Sequence, residues 1–183
     1  MKLMQFFSSS LLLLCCALLF NGGISIVNGN LITDTCGKIV AKDPNVELQF
    51  CIKTLESDPT SHGSKDLQAL GESTINLIKA KATGIISTIE KLNSSTTDPK
   101  VQKALQDCEE TYSDALDDIG EAYGSFVNFD YGSANIKLSA TLDDASTCQG
   151  SFKDVGAQFP LVDETKYFSE IVDIGLAITN MFP

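Results

Sequence analysis

The 183-residue chain carries 13 basic and 24 acidic side chains, a net charge of −11, and every basic residue is a lysine. Such a surface repels polyanions, which argues against nucleic acid as a partner and favours one with a basic face. A single histidine, His62, leaves little material for nucleophile–base or metal chemistry.

Lys2 precedes an unbroken apolar run from Leu11 to Phe20, followed by Gly22, Gly23, Ser25 and Gly29. This is the charged, apolar and small-residue order of a secretory signal over residues 1–29, with cleavage expected between Gly23 and Gly29. The run is shorter than the ~20 residues a membrane span needs. No later stretch is apolar enough to cross, so a soluble, secreted product without a membrane anchor is expected. A cut after Gly29 removes 29 of 183 residues and leaves 154, one ordinary domain, with 12 lysines against 24 carboxylates.

Cys15 and Cys16 leave with the signal, and Cys36, Cys51, Cys108 and Cys148 remain. An even number in an oxidising compartment predicts two disulfides, and three pairings are possible. Nearness in sequence suggests Cys36–Cys51, leaving Cys108–Cys148. No C-x-x-C occurs to support zinc instead, and no metal or cofactor is expected.

Leu31–Ala41 and Val46–Glu56 read as two short helices around the turn Lys42–Asn45, a hairpin occupying residues 31–60. Ser57–Ser61 breaks the pattern at Pro59. From Ser64, a plausible N-cap, apolar positions Leu67, Leu70, Thr74, Leu77, Ile78, Ile85, Ile89 and Leu92 recur at helical spacing. Asn93–Thr97 reads as a polar loop. Asp98 then caps and Pro99 opens a helix that runs to about Val127. After a turn at Asn128–Gly132, Ser133–Gly150 is predicted helical, with Ile136, Ala140 and Leu142–Ala145 turned inward. Phe152–Leu161 reads as a loop. Asp163–Met181 closes the chain with Tyr167, Ile171, Ile174, Leu176 and Ile178. The expected fold is all-α: an antiparallel up-and-down four-helix bundle over residues 64–183 behind the hairpin.

The stretch Asp107–Glu121 holds seven carboxylates (Asp107, Glu109, Glu110, Asp114, Asp117, Asp118, Glu121) and no base. At 3.6 residues per turn, Cys108, Tyr112, Ala115, Ile119 and Ala122 share one face, while Glu110, Asp114, Asp117 and Glu121 line an adjacent one. A solvated face explains such a ladder in the plainest way. Like charges at i, i+4 repel, however, and a face kept only for solubility would interleave lysines. A rigid binding surface is the sharper reading. Catalysis has thin support. His62 sits in a Ser/Gly loop without a partner, and the adjacent pair Asp143–Asp144 diverges by about 100° on a helix, which favours a cap or solvated turn. Asn93-Ser94-Ser95 matches the N-glycosylation sequon, and modification of Asn93 is expected in an exported chain.

The chain contains Thr35-Cys36, Phe50-Cys51-Ile52-Lys53-Thr54-Leu55 with Asp58-Pro59, Cys108-x3-Tyr112-x2-Ala115, and Leu138-Ser139-Ala140-Thr141-Leu142-Asp143-Asp144-Ala145-x-Thr147-Cys148. It ends near Leu176-Ala177-Ile178-Thr179-Asn180-Met181. Together these motifs resemble the plant invertase/pectin methylesterase inhibitor family. The resemblance implies a helical hairpin and four-helix bundle with disulfides first-to-second and third-to-fourth. It also implies a non-catalytic inhibitor of the plant cell wall, in the apoplast. Invertase inhibitors of the family share a Pro-Lys-Phe motif that enters the enzyme, and Tyr131-Gly132-Ser133 stands in its place here. Pectin methylesterase inhibitors present two bundle helices over the esterase's pectin cleft in a 1:1 complex. Carried over by position, their contacts match Glu110, Asp114, Asp117, Asp130, Asn135 and Thr147, and one further family acid is replaced by Gly150. The resemblance therefore favours pectin methylesterase as partner. Invertase is the alternative, since the chain is also similar to a pollen-allergen branch named for invertase. An acidic bundle with no enzyme target is the remaining reading.

Overall fold

The computed structural model describes residues 30–44 and 46–183, and the expected signal and cleavage region lie outside the described residues. Leu31–Pro183 forms one unit of seven helices. They are α1 (Leu31–Lys42), α2 (Leu48–Ser57), α3 (Pro59–His62), α4 (Leu67–Ser95), α5 (Pro99–Val127), α6 (Tyr131–Asp154) and α7 (Val162–Thr179). No strand occurs among the described residues, and no helix there is long and apolar enough to cross a membrane.

Aspartates start most of these helices. Asp58, Asp66, Asp98 and Asp130 each accept a backbone N–H of the first turn, from Ser61, Ala69, Lys100 and Ser133 at 2.7–3.0 Å. Each satisfies an otherwise orphaned donor and places a negative charge at the positive end of the helix dipole. Pro59 and Pro99 follow two of these caps, where a missing N–H costs nothing. Pro59 thus ends α2 as expected but also opens the one-turn helix α3. Ser64 is not the cap of the long helix. Asp66 takes that place, and the Ser64 hydroxyl instead donates to Thr60 O.

α4 to α7 form a closed ring: α5 packs on α4 and most extensively on α6, and α7 packs on α4 and α6. Connections as short as residues 96–98 and 128–130 join antiparallel neighbours, the expected bundle. The disulfides are Cys36–Cys51, which staples α1 to α2, and Cys108–Cys148, which ties α5 to α6 at a Cα separation of 4.4 Å. The pairing is the one that both proximity and resemblance suggested.

Between the helices lie fully buried Tyr112, Phe126, Phe152 and Phe168. Tyr112 meets the edge of Phe168 at 5.6 Å, and its hydroxyl pairs with Thr165 Oγ1 at 3.1 Å, so the buried phenol is satisfied. Gly71 lets α4 approach α5: a Cβ there would stand 2.2 Å from the Phe126 ring. Phe126, Tyr131 and Phe182 close that end of the bundle, with Tyr131 stacked on Phe182 at 4.0 Å.

Three expectations need correction. The buried stripe of α6 is Ala134, Leu138, Thr141, Ala145, Cys148 and Phe152, whereas Ile136 is 70% exposed, Asp143 is exposed, and Ala140, Leu142 and Asp144 are only half-buried. Small residues and a threonine whose hydroxyl bonds to Leu138 O carry this stripe, so apolar contrast points to the wrong face. The helix also extends to Asp154, placing Phe152 in its last turn rather than in a loop. Finally, α4 continues through Ser95, where the Ser94 and Ser95 hydroxyls bond to the carbonyls of Glu90 and Leu92. Asn93 is therefore a half-buried residue of a helical last turn, not of a loop.

Candidate functional site

The apolar stripe read on α5 is entirely buried: Cys108, Tyr112, Ala115, Ile119 and Ala122 are all 0% exposed. Burial of that stripe fixes the rotation of the helix, and with it the direction of the acids. Glu110, Asp114, Asp117 and Glu121 are all exposed on the outer face. Glu110 and Asp114 also line an open groove of about 420 Å³ with Gln106, Glu109, Ser113 and Ile86 of α4.

The seven acids of this stretch are not equivalent. Lys103, one turn upstream, pairs with Asp107. Lys137, reaching across from α6, holds Asp118 at 2.9 Å and Glu121 at 2.7 Å. Its hydrogen bonds to Glu121 and then Asp118 push the Lys137 ammonium pKa well above its ordinary value. Among the described residues no lysine forms an ion pair with Glu110, Asp114 or Asp117. The ion-paired acids flank a stretch of α5 whose exposed carboxylates stay open.

Asp144 complicates the picture behind this face. Asp143 and Asp144 lie in the middle of α6, not in a turn, and their angular divergence leaves Asp143 exposed while Asp144 enters the α5–α6 seam. One Asp144 oxygen is buried without a hydrogen-bond partner among the described residues. Desolvation, then the charges of Asp118, Asp114 and Asp143, raise its carboxyl pKa to about 6. A folded-state value above the unfolded one means that the folded chain binds the extra proton between pH 4 and 6. This contribution is therefore present at low pH and lost as the pH rises through about 6. The carboxyl is half in solvent, and screening trims the effect to about 1 kcal/mol, or a melting temperature about 3 °C lower at pH 7.5 than at pH 5. Asp144→Asn, fixed in the neutral form, should remove that part of the pH dependence in paired thermal melts.

The remaining candidates are scattered. Asp130 is exposed at the α5–α6 corner and caps α6. Hydrogen bonds from the Ser133 side chain and backbone hold its carboxyl below the usual range. Thr147 is exposed on α6, with its hydroxyl donating to Asp143 O at 2.8 Å. Asn135 stands apart. Its amide nitrogen donates to Leu176 O and Thr179 Oγ1 of α7 at 3.2 and 2.6 Å, and it lines the cleft beside α1 with Lys38 and Asp173. That residue serves the α6–α7 contact, away from the acid face. His62 is exposed at the end of α3, and among the described residues no cluster of three or more His, Cys, Asp or Glu is placed to hold a metal ion.

Two features of the site escape sequence reasoning. Lys137 follows Asp118 by 19 residues, so no helical period links them. Phe129, 69% exposed at the corner, adopts a left-handed backbone that phenylalanine gives no reason to expect.

The chain is similar to known proteins over most of its length. It is 39% identical over 157 residues to a Platanus orientalis protein whose name assigns invertase inhibition provisionally, covering 85% of this chain and 92% of that protein. It is 36% identical to a pectinesterase inhibitor of Actinidia deliciosa, covering 84% of this chain and 80% of that one. Among solved structures, a mutant form of a pectin methylesterase inhibitor from Arabidopsis superposes with a TM-score of 0.68 at 29% identity, covering 81% of this chain and 97% of that one. The family model for plant invertase/pectin methylesterase inhibitors matches residues 30–178. With its all-helical bundle and two disulfides in place, the chain belongs to the plant invertase/pectin methylesterase inhibitor family, a family of proteinaceous enzyme inhibitors.

Proposed function

We propose that the chain is a secreted inhibitor of plant pectin methylesterase, forming a 1:1 complex that covers the pectin cleft with the acid face of α5. The observation that carries this reading is selective ion pairing. Lys103 pairs with Asp107 and Lys137 is shared by Asp118 and Glu121, while Glu110, Asp114 and Asp117 remain exposed and outside any ion pair among the described residues. Asp130 at the corner and Thr147 on α6 extend the polar surface, and Asn135 acts as a support between α6 and α7. The bundle and the α5–α6 disulfide hold the acids in place, which lowers the ordering cost of binding. An interface of roughly 1,600 Å² suffices for such a complex, with no covalent step. The signal-like residues 1–29 support export to the cell wall, and Asn93 is the proposed glycan site.

Invertase is the second reading, favoured by the name of the Platanus orientalis relative. Against it stands Tyr131, the first residue where the resemblance expects Pro-Lys-Phe. Its ring is stacked on Phe182 and its hydroxyl donates to Gln68 Oε1 at 2.9 Å, so it serves the bundle end and is not free to enter an active site. The deciding experiment titrates purified chain into plant pectin methylesterase, following released methanol, with cell-wall invertase in parallel. Full esterase activity at micromolar inhibitor would sink the proposal, and loss of invertase activity alone would transfer it to the second enzyme.

A further inference from the structure

The α5–α6 corner is closed by two backbone hydrogen bonds: the Asp130 N–H donates to Ser125 O at 2.9 Å and the Phe129 N–H to Phe126 O at 3.0 Å. This is the Schellman arrangement, and it requires the residue just past the helix end to turn left-handed. Glycine normally takes that place, because any Cβ there crowds the backbone. Phe129 takes it at φ +64°, the sole non-glycine with positive φ among the described residues. It lacks the short polar side chain with which asparagine or aspartate eases this conformation.

The fold draws little from this arrangement. The ring is 69% exposed, and its aromatic contact among the described residues is an edge approach to Tyr131 at 6.4 Å, near the outer limit for such pairs. An aromatic side chain held outward at a conformational cost, with little internal gain, is the kind of strain that functional surfaces retain. It is also well presented. The two hydrogen bonds fix its backbone, and Asp130, one of the proposed contacts, is its chain neighbour.

We infer that Phe129 is an apolar anchor of the inhibitory surface, inserting into an apolar recess at the rim of the target esterase's polysaccharide cleft. This rests on the reading of the chain as a pectin methylesterase inhibitor. Buried aromatics dominate protein interfaces when they fill a partner's pocket, and saccharide-binding grooves offer apolar walls beside polar groups. The acids of α5 supply charge contacts, and Phe129 supplies the apolar one that the acid face lacks.

Phe129→Gly separates anchoring from folding, because the two roles move its readouts in opposite directions. The variant should melt about 2–4 °C higher than wild type, through relief of the left-handed residue, yet inhibit the esterase at least tenfold more weakly. Phe129→Asn, which also tolerates this backbone, should show the same loss of inhibition. Unchanged inhibition by both variants would overturn the anchor while leaving the wild-type reading intact. A lower melting temperature for Phe129→Gly would overturn it too, by showing that the ring serves the fold. A wild-type chain that fails to inhibit the esterase would remove both proposals together.

Discussion

Replacing Asp114 and Asp117 with lysine should abolish inhibition of pectin methylesterase while leaving the helical circular dichroism unchanged. Both side chains are exposed in the middle of α5, where lysine is a better helix former than aspartate and no ion pair among the described residues would be broken. Surface changes of this kind normally move stability by less than about 0.5 kcal/mol. The stability change here should even be slightly favourable, since Asp114 is one of the charges that raise the Asp144 carboxyl pKa. At the proposed interface the outcome differs. A cation placed against a surface built to receive carboxylates costs several kcal/mol, and ~3 kcal/mol is already more than a hundredfold in affinity. Inhibition at wild-type strength by this variant would move the contact off α5.

Cys108→Ser should lower stability by roughly 2–4 kcal/mol, because the Cys108–Cys148 bridge closes a 40-residue loop in the unfolded chain. For a domain of this size that is a fall in melting temperature of about 10 °C. Both sulfurs are buried, so the serine hydroxyl and the orphaned Cys148 thiol add a local penalty to the lost crosslink. Thermal melts of wild type and variant check the value, and superimposable curves would show the bridge to be dispensable. The acid face should then lose its alignment before the hairpin does, since α1 and α2 carry their own bridge.

Whether the sequence revealed a helix depended on how its buried face was composed. On α5 the stripe from Cys108 to Ala122 contrasts sharply with acids on either side, so both the helix and its rotation were legible. On α6 the buried face is Ala134, Thr141, Ala145 and Cys148, with only Leu138 and Phe152 of real bulk, and exposed Ile136 misdirected the reading. Caps were legible where proline followed aspartate, as at Asp98-Pro99, and misread at Asp66, where Ser64 offered an equally plausible cap. The site divided in the same way. Periodicity along one helix exposed Glu110, Asp114 and Asp117 together. It could not expose what depends on a neighbouring helix: Lys137 over Asp118 and Glu121, Asn135 held by α7, or the Asp144 oxygen shut into the seam. Phe129 was hidden for a different reason, because its local sequence argues against the backbone it adopts.

The two disulfides follow one another along the chain without overlap, and neither spans residues 52–107. A single protease cut in the 96–98 connection would therefore yield two bands on a non-reducing denaturing gel. A cut at 128–130 would leave the mass whole until thiol was added. Among the described residues each half also carries one complete disulfide, Cys36–Cys51 or Cys108–Cys148. Two fragments divided between α4 and α5 and oxidised apart should therefore not scramble between them, and the packing of α4 on α5 and α7 is the contact through which they would reassociate.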